Sequence, residues 1–251
     1  MAHRPLLLAA LVSLSFGALC APASAQNVPA YVTAAVNDKG RPAADTMRDA
    51  DRKPAEVIAF SGLKPGDKVA DFIAGGGYFT RIFSKVVGPQ GHVYATAPAG
   101  MVMMRPAAAD GLKAIAADPA YSNVSVLVQP TSKLDVSEPL DVVWTAQNYH
   151  DLHNAGPFHA DDIDAFNKSV FQALKPGGVF LVIDYASAPG AGFTQSQTLH
   201  RGDPEAEKAE ILKAGFVFEG ESKVLAKPND PHTTRTHEQD DQFVMRFRKP
   251  R

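Results

Sequence analysis

The sequence contains very little cysteine. Its single thiol, Cys20, lies near the start of a chain of 251 residues, so no disulfide can form within the chain. The folded state must therefore be stabilised by a hydrophobic core alone. The composition allows such a core, because 45% of the residues are hydrophobic and the length suits one large domain.

The sequence also lacks an excess of basic residues. Its 25 Lys and Arg residues are balanced by 27 Asp and Glu residues, which gives a net charge of −2 at pH 7. No block of positive charge suited to a phosphate backbone occurs along the chain. We therefore expect no nucleic acid among the partners of this protein.

The N-terminal apolar run, residues 6–19, is short for a membrane anchor, because it has about 14 residues and a spanning helix needs about 20. A basic start precedes the run, and Ala23, Ser24 and Ala25 follow it as a small-residue cleavage site. This pattern is typical of a secretory signal peptide over residues 1–25. The sequence therefore predicts a periplasmic or secreted protein without a stable membrane anchor.

The stretch over residues 64–98 organises the rest of the chain. It predicts a buried strand over 68–74, then three consecutive glycines, then an amphipathic helix and a second strand over 92–96. The helix is indicated by apolar residues that recur at about 3.6-residue spacing from Phe79 onward. It should end at the Gly88-Pro89 pair, since neither residue favours helix continuation.

The three glycines predict a place where a ligand can contact main chain. Gly75, Gly76 and Gly77 have no Cβ, so the backbone can adopt positive φ and a flat ligand can approach it closely. A tight turn alone would need only one glycine. We therefore interpret this turn as a cradle for a ligand.

Residues 26–52 are predicted to form an N-terminal arm, and residues 53–251 one domain. Strand and helix patterns alternate along this domain. Such alternation predicts an open α/β sheet that is mostly parallel, with helices on both faces. A polar stretch over 186–203 is expected to form a lid or loop. Further strands are expected over 123–129, 140–146, 179–185, 217–222 and 242–247, and helices over 44–50, 53–60, 101–117, 163–174 and 205–214. The helix over 101–117 should have a break near Pro106.

The glycine turn resembles the first motif of class I S-adenosylmethionine-dependent methyltransferases, an acidic residue followed by spaced glycines. Asp71, Gly75 and Gly77 match its acidic position and two of its glycines, while Ile73 replaces the first glycine. The resemblance covers about residues 55–249. It includes the segments GYFTRIFSKVVGPQGHVYA, and LKPGG followed by VFLVIDYA. With QNYHDLHN and the C-terminal DQFVMRFRKP, the sequence is most similar to predicted secreted methyltransferases.

The resemblance implies a Rossmann-like methyltransferase sheet of seven strands with the last antiparallel. It also implies S-adenosylmethionine as cofactor, a small-molecule substrate and transfer of a methyl group. Ala97 stands where the family has an acidic residue for the ribose hydroxyls, and Gln129 where it has one for the adenine amino group. The cofactor-binding residues implied in this way are Asp71, Ile73, Gly75, Gly76, Gly77, Ala97, Gln129 and Gln147.

The loop after the fourth predicted strand carries the candidate catalytic side chains. In the family this loop faces the methyl group and its acceptor. His150 is the expected base, because an unperturbed imidazole has a pKa of about 6.5. Asn148 and Tyr149 would orient the acceptor, and Asp151 would accept a hydrogen bond from a backbone N–H or a histidine.

Two other functions remain open from the sequence. Ile73, Ala97 and Gln129 replace three expected residues, which fits a ligand-binding protein that keeps the fold without the reaction. His150, Asp151 and His153, with His159 further along, could instead build a metal-dependent hydrolase if the loop folded back on itself. We expect no metal site, and the sequence does not reveal the oligomeric state.

Overall fold

The computed structural model describes residues 27–236 and 239–251. The predicted signal peptide lies outside the described residues, and its cleavage stays a prediction. None of the helices in the described part of the chain has the length and apolarity needed to cross a bilayer.

A seven-stranded sheet with the order β3-β2-β1-β4-β5-β7-β6 forms the centre of the protein. Strand β7 runs antiparallel to both of its neighbours, and the other pairs are parallel. This confirms the predicted Rossmann-like methyltransferase sheet. The strands are β1 (Lys68–Phe72), β2 (His92–Pro98), β3 (Val124–Gln129), β4 (Leu140–Ala146), β5 (Leu174–Tyr185), β6 (Val217–Ser222) and β7 (Gln242–Arg248).

Helices cover both faces of this sheet. Along β5 the side chains alternate, so Leu181 packs in one apolar cluster and Phe180 in the other. Because both faces are covered, the central strands are nearly continuous hydrophobic runs. The helices are α1 (Ala30–Val36), α2 (Ala43–Thr46), α3 (Asp49–Arg52), α4 (Pro54–Ser61), α5 (Tyr78–Val87), α6 (Ala99–Met104), α7 (Asp110–Ala117), α8 (Ile163–Ala173), α9 (Ser196–Leu199) and α10 (Pro204–Lys213).

The N-terminal arm packs against the rest of the protein. Val32 and Ala35 of α1 are buried in the same apolar cluster as Ile82 and Phe83 of α5. The helix predicted over 44–50 is in fact two short helices, α2 and α3. The first of them, α2, lies near the glycine turn, because Arg81 donates hydrogen bonds to Asp45 of α2 and to the carbonyl of the turn's second glycine.

Two further predicted elements have different bounds. The strand expected to start at residue 179 begins at Leu174, which pairs with Leu140 before a register shift in the β4–β5 ladder. The helix predicted over 101–117 begins at Ala99, and its predicted break near Pro106 is confirmed as a 3₁₀ turn, Pro106–Ala109, between α6 and α7. Proline has no backbone N–H to continue an α-helix, which explains the division.

Candidate functional site

The glycine turn follows β1 at the carboxyl edge of the sheet. Gly75 and Gly77 have φ values of 57° and 81°, and Ile73 is also left-handed at 55°. The turn is tied to β2 at Thr96, whose backbone O accepts from Ala74 N at 3.0 Å and whose Oγ1 accepts from Ile73 N at 2.9 Å. This pairing fixes the turn relative to two strands.

The three glycines serve different purposes. A Cβ added to Gly75 or Gly76 would meet no atom within 4 Å, because both positions face open space. A Cβ on Gly77 would lie 2.3 Å from Ile115 Cδ1 and 3.3 Å from Leu112 Cδ2 of α7. Gly75 and Gly76 therefore leave room for a ligand, whereas Gly77 allows α7 to pack against the turn.

The open space at this turn is a cleft made of two adjoining cavities, which share Ile73, Gly75 and Gly76. We call them the polar cavity, with a volume of about 210 Å³, and the apolar cavity, with a volume of about 400 Å³. Ligands of open α/β sheets bind at this edge, beyond the carboxyl ends of the strands.

Charged groups from the arm and from β1 line the polar cavity. The guanidinium of Arg52 lies 4.8 Å from the centre of the Tyr78 ring and donates a hydrogen bond to Gln147 Oε1. Burial, followed by the charge of Arg48, lowers the pKa of Arg52. Arg48 and Asp71 line the same cavity. The cavity thus offers both signs of charge to a ligand.

Asp71 is buried beneath the glycine turn, with 3% of its surface exposed. Its Oδ2 accepts a hydrogen bond of 2.6 Å from Thr80 Oγ1. Burial raises the pKa of Asp71 to about 7, although Thr80 and Arg52 act in the opposite direction. The carboxyl group is therefore poised to ionise near neutral pH.

The apolar cavity lies beyond the end of β2, where Ala97 was predicted to contact the ribose. Ala97 does line the cavity, and no acidic side chain stands beside it among the described lining residues. Gln129 lines neither cavity, and its Oε1 accepts a hydrogen bond of 3.1 Å from Asp135 N. Besides the shared turn residues, the apolar cavity is lined by Ala97, Pro98, Met101, Val102, Arg105, Ala108, Gly111 and Phe158.

Only the first two residues of the loop after β4 line the polar cavity. Gln147, left-handed at φ 64°, and Asn148 line the polar cavity. Asn148 Nδ2 donates to Ile73 O at 3.1 Å and to Ala146 O at 2.7 Å, so its Oδ1 is the atom left to contact a ligand. Of the four predicted catalytic residues, only Asn148 faces the cleft.

His150 does not fit the expected role of a base. It is 1% exposed, and its Nδ1 lies 2.7 Å from Asp184 Oδ1 while its Nε2 lies 3.1 Å from Asp151 Oδ1. Burial alone would lower the pKa of His150, but Asp184 and Asp151 raise it to about 10. An imidazolium has no lone pair with which to accept a proton from a methyl acceptor.

Tyr149 does not fit the expected role in orienting an acceptor. It is fully buried in the apolar cluster on the α8 face, and its hydroxyl accepts from Asn167 Nδ2 at 2.7 Å.

Asp151 contacts two imidazoles, in agreement with its predicted role as the hydrogen-bond acceptor of a histidine. Its Oδ1 lies near His150 and 3.0 Å from His200 Nδ1.

Sequence reasoning missed the arginines of the arm. Arg48 and Arg52 belong to the stretch RDADRK, whose mixed charge gives no indication of which residue faces a cleft. Their placement depends on Gln147 and Tyr78, which are far away in the sequence. A stretch of charge in a predicted arm was the only available signal.

No family model matches the sequence. A stretch of 79 residues is 37% identical to a protein-L-isoaspartate O-methyltransferase of Ignicoccus hospitalis. The aligned stretch covers 32% of this chain and 35% of that protein. The chain thus aligns with about a third of that relative's length.

The solved structures that resemble this protein include methyltransferases. A SAM-dependent methyltransferase from Aquifex aeolicus has a TM-score of 0.56 at 20% identity, over 82% of this chain and 95% of its own. An S-adenosylmethionine-dependent methyltransferase from Mesorhizobium loti has a TM-score of 0.54 at 17% identity, over 79% and 97%. At such identities the likeness shows the fold, which this chain shares with those proteins.

Proposed function

We propose that this chain, which has the fold of S-adenosylmethionine-dependent methyltransferases, is an exported methyltransferase that uses that cofactor to modify a small molecule. The observation that carries the proposal is the continuous cleft across Gly75 and Gly76, charged on one side and apolar on the other. The aligned stretch of the isoaspartate methyltransferase supports it. Export rests on the signal-peptide pattern in the sequence.

The cleft suits the two ends of S-adenosylmethionine. The polar cavity offers Asp71 to an ammonium group and Arg52 to a carboxylate, which are the charges of an amino acid. The apolar cavity offers Met101 and Phe158 to an aromatic ring. The glycine backbone between the cavities would lie against the middle of the molecule.

The cofactor, when bound, would supply a methyl group on a positively charged sulfur, so that an acceptor lone pair bonds to the methyl carbon while the carbon–sulfur bond breaks and the demethylated thioether leaves. The chain contributes mainly position to such a reaction. Asn148 is held by two backbone carbonyls and can accept a hydrogen bond from the acceptor through Oδ1. Since His150 is not available as a base, we infer an acceptor whose lone pair is free at neutral pH.

One observation favours a second function, a ligand-binding protein that keeps the methyltransferase fold without the reaction. Ala97 leaves the apolar cavity without a carboxylate for a ribose. Charge-assisted hydrogen bonds of that kind contribute about 1.5–3 kcal/mol each. Binding without methyl transfer to any acceptor would support this second function.

Calorimetric titration with S-adenosylmethionine and with its demethylated product tests the proposal. We expect micromolar affinity, equivalent to about 8 kcal/mol of binding free energy. Gly76→Val should abolish binding without lowering the melting temperature, because the new side chain enters open space and the backbone is not left-handed. Ala117→Val, on the exposed end of α7, adds similar volume outside the cleft and should bind normally.

The proposal fails if no heat is detected at millimolar ligand with the folded wild-type protein. It also fails if Gly76→Val binds as tightly as the wild type, because the ligand would then lie elsewhere.

A further inference from the structure

We propose that His150, Asp151 and His200 form a binding site for one divalent transition-metal ion. Their ligand atoms all lie within 4.8 Å of one another. His150 and Asp151 belong to the 3₁₀ turn after β4, His150–His153, and His200 follows directly after α9. The site does not depend on the proposed methyl transfer, because none of the three residues lines the glycine cleft.

The orientation of His150 is the first argument. Its Nδ1 lies 2.7 Å from Asp184 Oδ1, and its backbone N donates to Asp184 Oδ2 at 2.8 Å. A carboxylate that accepts from Nδ1–H leaves Nε2 as the nitrogen that can bind an ion once the ion displaces its proton, as in carboxylate–histidine–metal arrangements. Asp184 is itself fully buried, so it holds the ring in one orientation.

The second argument is that Nε2 of His150 is buried without an aligned hydrogen-bond partner among the described residues. Asp151 Oδ1 lies 3.1 Å from it as an ion-pair partner. A buried polar atom without a partner is costly. A cation in line with Nε2, in place of the proton on that atom, would supply the missing contact.

The spacing of the ligand atoms is the third argument. Asp151 Oδ1 lies 3.1 Å from His150 Nε2 and 3.0 Å from His200 Nδ1. Two ligands that each lie about 2.1 Å from one ion are about 3.0–3.4 Å apart at octahedral or tetrahedral angles. The three atoms could therefore bind one ion after small movements. Asn154 Nδ2, which donates to the same carboxylate oxygen at 2.7 Å, holds Asp151 in place.

The fixed position of His200 is the fourth argument. His200 is left-handed at φ 52°, which is uncommon for a residue other than glycine and persists only where the surroundings hold it. The next residue, Arg201, is fully buried and paired with Asp230 and Asp240. The side chain of His200 is 29% exposed, so the ligand set opens toward solvent on this side.

The ligand types indicate which ions fit. Two imidazoles and one carboxylate suit zinc and neighbouring first-row ions, whereas calcium and magnesium favour oxygen ligands. Three protein ligands would leave at least one coordination position for water or another small ligand. The structure thus favours a zinc-type site with an open position.

Titration of untagged, metal-free protein with Zn²⁺ tests this site, followed by visible absorption of the Co²⁺ form. We expect one Zn²⁺ per chain with micromolar or tighter affinity, and Co²⁺ bands typical of nitrogen and oxygen ligands. His200→Ala should weaken Zn²⁺ binding at least 100-fold. Asp184→Asn, which disturbs the orientation of His150, should weaken it about 10- to 100-fold.

His159→Ala is the matched control, because His159 is 45% exposed beside Asp161 and lies outside the cluster. It should bind Zn²⁺ as the wild type does. If His200→Ala does not fold, Asp151→Asn replaces it, since the amide keeps the shape of the carboxylate.

The proposal is overturned if the wild type binds no Zn²⁺, or if folded His200→Ala or Asp151→Asn keeps wild-type affinity. These readouts use the metal alone, so failure of cofactor binding in the glycine cleft would not affect them.

Discussion

Thr80 Oγ1 donates a hydrogen bond of 2.6 Å to Asp71 Oδ2 in the buried region between β1 and α5. The bond joins the acidic residue before the glycine turn to the first turn of the helix that follows it. Asp71 also lines the polar cavity, and burial raises its pKa to about 7. Its ionisation therefore links protein stability to pH in a range that can be measured.

The first prediction concerns this linkage. The pKa of Asp71 is about 7 in the folded protein, against an ordinary value of 3.8 for the same carboxyl group in the unfolded chain. Between these values the folded state holds a proton that the unfolded state has released, so stability falls as pH rises. Asp71→Asn removes the titration, and its melting temperature should rise relative to the wild type from about pH 4 to about pH 7.

Thermal unfolding of both proteins across this range provides the measurement. Above about pH 7 the difference between them should become constant, because Asp71 is then ionised in both states. Parallel curves throughout would show that the pKa of Asp71 is not raised.

The second prediction concerns the missing ribose partner, and it rests on the proposed cofactor. Ala97→Asp places a carboxylate at the end of β2, where Ala97 lines the apolar cavity. Charge-assisted hydrogen bonds to ribose hydroxyls should strengthen binding by about 1.5–3 kcal/mol, or roughly 10- to 150-fold in Kd. Calorimetric titration with S-adenosylhomocysteine measures the change.

Ala97→Asn is the control for this experiment, because it has nearly the same shape without the charge. It should strengthen binding much less than Ala97→Asp. Equal effects of the two variants, or weaker binding by a folded Ala97→Asp, would mean that the ribose does not lie beside this residue.

The third prediction separates Gly77 from the other two glycines. Gly77→Ala should destabilise the protein by about 1–3 kcal/mol, because its φ of 81° strains an L-residue and its Cβ would overlap Ile115 Cδ1. Ile115→Val deletes that Cδ1 atom, at a usual cost of about 0.5–1.5 kcal/mol. The double variant should therefore be more stable than the sum of the single effects predicts.

Denaturant unfolding of the four proteins gives the coupling energy of this pair. A coupling near zero would show that Gly77 is required for its backbone conformation alone. Glu56→Ala, an exposed change in α4, is a control that should be additive with Gly77→Ala.

The sequence was sufficient for the elements that depend on local patterns. The spacing of Phe79 and Ile82 predicted α5, and the glycine run predicted the open turn at the end of β1. Contacts between distant residues were not predictable in this way. The environment of His150 depends on Asp184, and no periodicity in the sequence relates the two residues. Side-chain chemistry alone therefore could not show that His150 lies between two carboxylates and away from the cleft.

The fourth prediction concerns Arg201. This residue holds in place the segment after β5, which the sequence predicts to be a lid or loop. Its guanidinium nitrogens lie 2.7 Å from Asp230 Oδ2 and 2.7 Å from Asp240 Oδ1, and all three side chains are nearly inaccessible to solvent. Arg201→Met would leave two carboxylates buried without their cation. Loss of one partner from a buried pair costs about 3–5 kcal/mol, so the free energy of unfolding should fall by that amount.

Lys133→Met is the matched control for Arg201→Met. Lys133 pairs with Asp135 at the same distance, 2.7 Å, but the two side chains are 61% and 67% exposed. An exposed pair contributes at most about 1 kcal/mol, so this change should have little effect in the same denaturant unfolding experiment. If both variants lost equally little stability, the buried arginine would not be what holds the segment in place, and the fixed position of His200 would need another cause.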